Sequence, residues 1–314
     1  MAEGEAAARL RSSEHERVRS ELETRGFAVC RSMLPLSSIA RARQHLEKAV
    51  DRHLQRAAAR GDVPHSFAGL SLEERIAAAY RTSPEQAPTS WVAETRTSLA
   101  FQGMLFRDAQ LCALVETLTS RPPVVASRYN VRSKLPGSTN ANFPWHQDHA
   151  FFRMQYLLKK QAAKRLLAAW APLVAVSEAN GAVELAAGSH TRGFAKHTRS
   201  GAFMAAEEPP SSALERVVPS LNPGDVLLFT DLTLHRSGPN LLPTVRWSAD
   251  WAYELDPSDS ICPPLAVHLL RNEQATEEQA PLQLRNTRSR LLLAACAALV
   301  TTSVAMLLQK RIRR

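Results

Sequence analysis

The sequence predicts a mainly β fold with packed helices (α+β): a jelly-roll core, a helical N-terminal part and a C-terminal transmembrane helix. Three observations carry this. Apolar residues recur near the 3.6-residue helical period through most of the first 120 or so positions. Short alternating or apolar runs separated by turn residues follow. Near the C-terminus, the 18 residues 291–308 carry no charge.

Residues 1–13, rich in Ala, Glu, Arg and Ser, read as a frayed N-terminus. Helical spacing covers 14–24, and 26–30 (Gly-Phe-Ala-Val-Cys) reads as a short strand. Ser37 or Ser38 offers a hydroxyl cap to a long helix, with Ile39, Leu46, Val50 and Leu54 on one face as far as Gly61. Ser71 and Glu74 have the spacing of a capping box, in which each side chain satisfies the other residue's backbone N–H, ahead of an apolar run at 76–80. A further helix is predicted from about Asp108 to Leu118, stopped by Pro122-Pro123, since proline cannot continue a helix. Strand-like runs then fall at 124–131, 143–148, 170–176, 182–185 and 226–229. Asn180-Gly181 reads as the turn of a hairpin, because both residues tolerate positive φ. Pro223-Gly224-Asp225 reads as the turn into Val226. The basic, helix-like stretch from Lys159-Lys160 to Lys164-Arg165 reads as a solvated charged face. The clearest alternation is at 245–255, with Val245, Trp247, Ala249, Trp251 and Tyr253 on one side and Arg246, Ser248 and Asp250 on the other. Many short strands joined by turns are the mark of a jelly roll.

A formal charge of +9 would suit nucleic acid if it covered one face. Instead Arg285, Arg288, Arg290, Lys310, Arg311, Arg313 and Arg314 crowd the C-terminus with no acid among them. The rest of the chain is near neutral, and no nucleic-acid partner is expected. Cys30, Cys112, Cys262 and Cys296 are scattered, with no Cys-x-x-Cys pair and no secretory signal. That predicts reduced thiols in a cytosol-facing protein.

Phe143-Pro144-Trp145-His146-Gln147-Asp148 can seat a metal. Side chains alternate faces along an extended strand, so His146 and Asp148 point the same way. With one more histidine they form a 2-His-1-carboxylate set, which leaves positions open on Fe(II) for oxygen chemistry. The same spacing at His45-Leu46-Glu47 lies in a helical pattern, where such positions diverge, and reads as a surface pair. Among the later histidines, His190 sits in a turn, and His197 and His268 belong to no partner pattern. His235 follows a predicted core strand and opens His235-Arg-Ser-Gly-Pro-Asn240, so it is the favoured third ligand. Arg246 lies on the polar side of the alternating strand, where a buried guanidinium needs a carboxylate. A bidentate anion fits it, with the Ser237 hydroxyl as a helper. The competing reading makes the histidines hydrogen-bonded core residues and pairs Arg246 with Asp250.

Across about residues 26–256, these pieces in this order resemble the phytanoyl-CoA dioxygenase family of Fe(II)/2-oxoglutarate oxygenases. They are Trp145-His146-Gln147-Asp148, Asn180-Gly181 to Glu184 with Gly188-Ser189-His190, Pro223-Gly224-Asp225, His235-x-Ser237-x-x-Asn240, and the basic residue Arg246. The resemblance implies a double-stranded β-helix core with helices packed on it. It makes His146, Asp148 and His235 the iron ligands, and Arg246 helped by Ser237 the site for the distal carboxylate of the cosubstrate 2-oxoglutarate. O2 takes the remaining iron position. Arg128, Asn130 and Trp170 match residues near the cosubstrate. Halogenating relatives lack the metal-binding carboxylate, so Asp148 implies hydroxylation. The stretch between Asp148 and Trp170 is longer and more basic than the family pattern and leaves the substrate side open.

Residues 291–308, at ~1.5 Å per helical residue, just span a bilayer core and are bracketed by basic residues. The expected organisation is a flexible N-terminus (1–13), the oxygenase-like domain (14–280), a basic linker (281–290), a transmembrane tail anchor (291–308) and a basic C-terminus (309–314). The implied protein is a tail-anchored hydroxylase of a small or lipid-like substrate. Its body would face the cytosol from the mitochondrial outer, peroxisomal or endoplasmic reticulum membrane. The alternative is a non-catalytic membrane-anchored scaffold that retains the oxygenase fold.

Overall fold

In the computed structural model the chain divides into two units, Met1–Pro264 and Leu265–Arg314. The described residues, 2–95, 98–152, 164–201, 203–207 and 214–262, belong to the first. The segments expected at 281–290, 291–308 and 309–314, together with His268 and Cys296, lie outside them.

Helices come first: α1 (Ala2–Arg25), then β1 (Phe27–Cys30), α2 (Leu36–Ala59), α3 (Leu72–Ala79), α4 (Val92–Thr95), α5 (Leu99–Gln102) and α6 (Ala109–Thr119). Strands follow: β2 (Val125–Lys134), β3 (Phe143–His146), β4 (Arg165–Pro172), β5 (Val183–Ala186), β6 (His197–Ser200), β7 (Phe203–Ala206), β8 (Arg216–Val217), β9 (Val226–Thr230), β10 (His235–Ser237) and β11 (Arg246–Leu255). The local signals account for several boundaries. Asp108 caps α6, its carboxylate accepting the Gln110 and Leu111 N–H groups. Glu74 accepts the Ser71 N–H (3.2 Å) at the start of α3. The cap of α2 is not the expected serine, however. Its N-cap is Pro35, with no side-chain hydrogen bond, and proline suits a helix start because the N–H it lacks would be unpaired there.

The strands form an antiparallel five-stranded sheet, β1-β9-β4-β11-β2, a four-stranded sheet, β3-β10-β5-β8, and the ribbon β6-β7. The five-stranded sheet is covered on both faces. Leu167, Ala169, Val226, Leu228, Trp247 and Tyr253 pack with the helices, while Ala168, Trp170, Leu227 and Phe229 pack in a second cluster with Val183 and Leu185 of the other sheet. Burial on both faces is why β4 and β9 read as continuous apolar runs rather than alternating ones.

The expected fold class needs correction on two points. The fold is mixed α/β rather than mainly β, because helices α1 to α6 are at least as extensive as the strands and supply one wall of the main core. The sheets themselves are antiparallel and consistent with a jelly roll. And among the described residues no helix is long and apolar enough to cross a membrane. The long helix α2 is rich in charge and buries one stripe that includes Ile39, Leu46, Val50 and Leu54, as suits a surface element.

Asn180-Gly181 also behaves differently from the hairpin expected of it. Residues 178–180 form a short 3-10 turn ended by Gly181 at φ +77°, and β5 pairs with β10 and β8, not with β4. The pair therefore marks the crossing from one sheet to the other. The Asn180 side chain fixes the crossing, accepting the Ser177 N–H and donating to Ala175 O, both at 2.9 Å.

Candidate metal centre

His146 ends β3 and His235 begins β10, and the two strands pair with these residues directly opposite one another. The imidazole centroids are 4.1 Å apart. Asp148 does not extend the strand as expected: the chain leaves β3 at His146, and 148–152 are helical. Its carboxylate nonetheless returns to within 3.8 Å of His146 Nε2. One donor atom from each of His146, Asp148 and His235 lies within 4.8 Å of the others, the spacing of groups that can share one ion. Each imidazole has its Nδ1 on a backbone carbonyl, Pro144 O for His146 (2.8 Å) and Thr233 O for His235 (2.9 Å). A carbonyl only accepts, so Nδ1 carries the proton and Nε2 keeps a free lone pair. Burial and the neighbouring His235 push His146 down to about 3, so it is neutral and ready to ligate at neutral pH. Two imidazoles and a carboxylate on one face suit Fe(II).

The three side chains open into a cavity of about 420 Å³ between the two sheets. Arg246 and Trp170 line it, and the guanidinium carbon lies 5.3 Å from the indole centroid. Arg246 is 4% exposed. Its Nη1 donates to Ser248 Oγ (2.9 Å), but its Nε is buried with no protein partner. Asp250, the internal acid that the competing reading pairs with it, is committed elsewhere. Its carboxylate takes Arg132 Nε (2.5 Å) and Asn130 Nδ2 (2.9 Å). Burial, with Arg132 nearby, pushes Arg246 down to about 9, a sign of how poorly the interior supports this charge without an anion beside it.

The other expected site residues are distributed unevenly. Asn130 and Ser237 line the cavity, although Asn130 is held by Asp250 and the Ser237 hydroxyl donates to Gly181 O (3.1 Å). Arg128 lies in β2, and its side chain is outside what is described. His190 and His197 stand apart from the metal donors. His190 Nε2 contacts Glu23 O (3.1 Å), and His197 Nε2 accepts the Gln147 N–H (3.0 Å). Sequence reading missed Arg132 and the rings of Phe143, Phe151 and Phe203, all of which line the cavity. The aromatic content of 143–152 was the available signal for Phe143 and Phe151; nothing local marked Phe203 or Arg132.

Residues 22–246 match the family model for phytanoyl-CoA dioxygenase. No curated protein matches the chain. Among solved structures it is similar to EvdO2 from Micromonospora carbonacea var. aurantiaca, complexed with 2-oxoglutarate (18% identity, 79% of this chain and 96% of that one, TM-score 0.51). It is also similar to SnoN, an α-ketoglutarate-dependent epimerase from nogalamycin biosynthesis (19%, 78% and 84%, TM-score 0.51). A third is EctD from S. alaskensis with bound Fe (19%, 76% and 76%, TM-score 0.50). At these identities the likeness speaks for the fold.

Proposed function

We propose that this chain, which belongs to the phytanoyl-CoA dioxygenase family and is an Fe(II)/2-oxoglutarate-dependent dioxygenase, hydroxylates a small or lipid-like organic substrate in the cavity between its two sheets. One observation supports this reading above the rest: three metal donors and an uncompensated buried guanidinium meet in the same cavity.

His146, Asp148 and His235 would hold Fe(II), one donor atom of each lying within 4.8 Å of the others. Bound Fe(II) supplies the O2 activation that couples decarboxylation of 2-oxoglutarate, to succinate and CO2, to oxidation of a substrate C–H bond. Arg246 takes the distal carboxylate of 2-oxoglutarate, which gives the guanidinium the anion the protein withholds, and Trp170 packs against it. Phe143, Phe151 and Phe203 exclude water on the side of His146. Phe143 and Phe203 meet edge to face (4.9 Å), and Phe151 stands edge-on to His146 (6.0 Å). A wall of this kind favours an apolar portion of the substrate next to the metal. Asp148, as a carboxylate ligand, would occupy the position a halide needs, which favours hydroxylation over halogenation.

The test is succinate formation by purified protein given Fe(II), 2-oxoglutarate and O2, with Asp148→Ala as the comparison. Iron-dependent succinate that falls at least ~100-fold in the variant supports the reading. Succinate formed equally without iron or by Asp148→Ala overturns it.

A further inference from the structure

Three consecutive residues connecting β9 to β10 each reach the segment that carries the metal donors. Asp231 accepts the His149 N–H on its carbonyl (3.0 Å) and the His149 Nδ1–H on its carboxylate (2.9 Å). Leu232 O accepts from Gln147 Nε2 (2.7 Å). Thr233 O accepts from His235 Nδ1 (2.9 Å). Asp148 is thus held on both sides, through 147 and 149, by the same short connection that delivers His235. On the other flank Arg165, at the start of β4, meets the Asp231 carboxylate in a fork, with Nε 3.1 and 3.0 Å from its two oxygens and Nη2 2.9 Å from Oδ1. The Asp231 N–H donates to Leu166 O (3.0 Å), so backbone and side chain are both pinned to β4.

His149, Asp231 and Arg165 are all nearly sealed, with side chains 3%, 0% and 5% exposed. A buried ion pair is weak support for stability, because apolar residues of like volume serve as well or better. What it provides that they cannot is direction. A carboxylate locked by a bidentate guanidinium has one orientation, and it passes that orientation to a single imidazole next to Asp148.

Resting on the reading of the site as an iron centre, the geometry points to Asp231 as a positioning residue. It registers the His146/Asp148 segment against His235, so that two donors from paired strands and one from the helical turn after β3 arrive preformed. Arg165 compensates its charge and His149 transmits its position. None of the three is among the residues that line the cavity. Outer hydrogen bonds of this kind are typically worth ~10–100-fold in affinity for the ion or in turnover.

Asp231→Asn keeps the volume of the side chain and removes its charge. Titration calorimetry of the metal-stripped full chain with Co(II), and anaerobically with Fe(II), reads the effect directly. The metal Kd is expected to rise ~10–100-fold in Asp231→Asn, and the visible charge-transfer band of the Fe(II)–2-oxoglutarate complex to shift. At saturating Fe(II) the KM for 2-oxoglutarate stays within about twofold of wild type, since Arg246 is untouched, and the loss appears in kcat. His149→Ala reproduces the weakened affinity, while His149→Gln, which retains an N–H donor, recovers to within about threefold of wild type. Wild-type Kd values in both Asp231→Asn and His149→Ala overturn the inference. If Asp231→Asn does not fold, the His149→Ala and His149→Gln pair decides by the same criterion. A wild-type chain that binds neither ion overturns the iron reading itself, whereas tight wild-type binding with unaffected variants overturns only the role of Asp231.

Discussion

A guanidinium enclosed without an acid beside it costs several kcal/mol unless an anion arrives. Arg246 is in that position, because Arg132 and Asn130 have taken Asp250. Removing Arg246 should therefore act on cosubstrate binding and leave the metal alone. Arg246→Ala is expected to raise the KM for 2-oxoglutarate at least ~10-fold, the equivalent of ~1.4 kcal/mol, with the Fe(II) Kd unchanged. Arg246→Lys should recover part of the loss, since an ammonium is a point charge without the fork. Steady-state kinetics alongside metal titration checks this, and an Arg246→Ala variant with wild-type KM would count against the assignment. At this scale the sequence was informative wherever the chemistry demands a particular residue type, as at His146, Asp148, His235 and Arg246. It was silent on Arg132 and Asp231 and read Arg165 as part of a solvated charged face, because the importance of all three lies in partners far away along the chain.

The elements were legible where a local signal decides, and misread where tertiary pairing does. The Asp108 cap and the Ser71/Glu74 capping box act within a few residues and appear as expected. Asn180-Gly181 has the right chemistry for a tight turn, but whether that turn joins paired strands depends on what the flanking strands find across the sheets. Here β4 pairs with β9 and β11, and β5 with β10. Gly181 itself is required. A Cβ there would come within 2.6 Å of Lys134 Cδ and 2.7 Å of Gly238 O, at a φ that L residues avoid. Gly181→Ala is expected to destabilise the fold by ~1–3 kcal/mol in chemical denaturation, by backbone strain and by displacing the loop after Ser237. A ΔΔG near zero would show that the loop yields freely. Trp247 is a comparable point on the helical side, fully buried with its indole N–H on Leu72 O (3.2 Å) and its ring 5.5 Å from Trp91. Its alternation with Arg246 and Ser248 made β11 the best-predicted strand.

For the whole molecule, the order of helices before strands and the jelly-roll character could be read from changing periodicity. The proportion of helix could not, because helical packing on a sheet leaves both with apolar surfaces of similar extent. The described residues of the first unit contain a core and line the cavity, so a chain ended at Pro264 should keep both. Its expected Tm lies within about 4 °C of the full chain's, with Fe(II) affinity retained. Aggregation of the shortened chain, or loss of its metal binding, would refute this. The pairing of His146 opposite His235 has a consequence for assembly as well. A slip of one position between β3 and β10 would turn one imidazole to the far face, leaving at most a crippled chelate. Mispaired chains would thus load iron poorly, and an oxidant dangerous to its surroundings would be generated chiefly by copies whose strands had come together correctly.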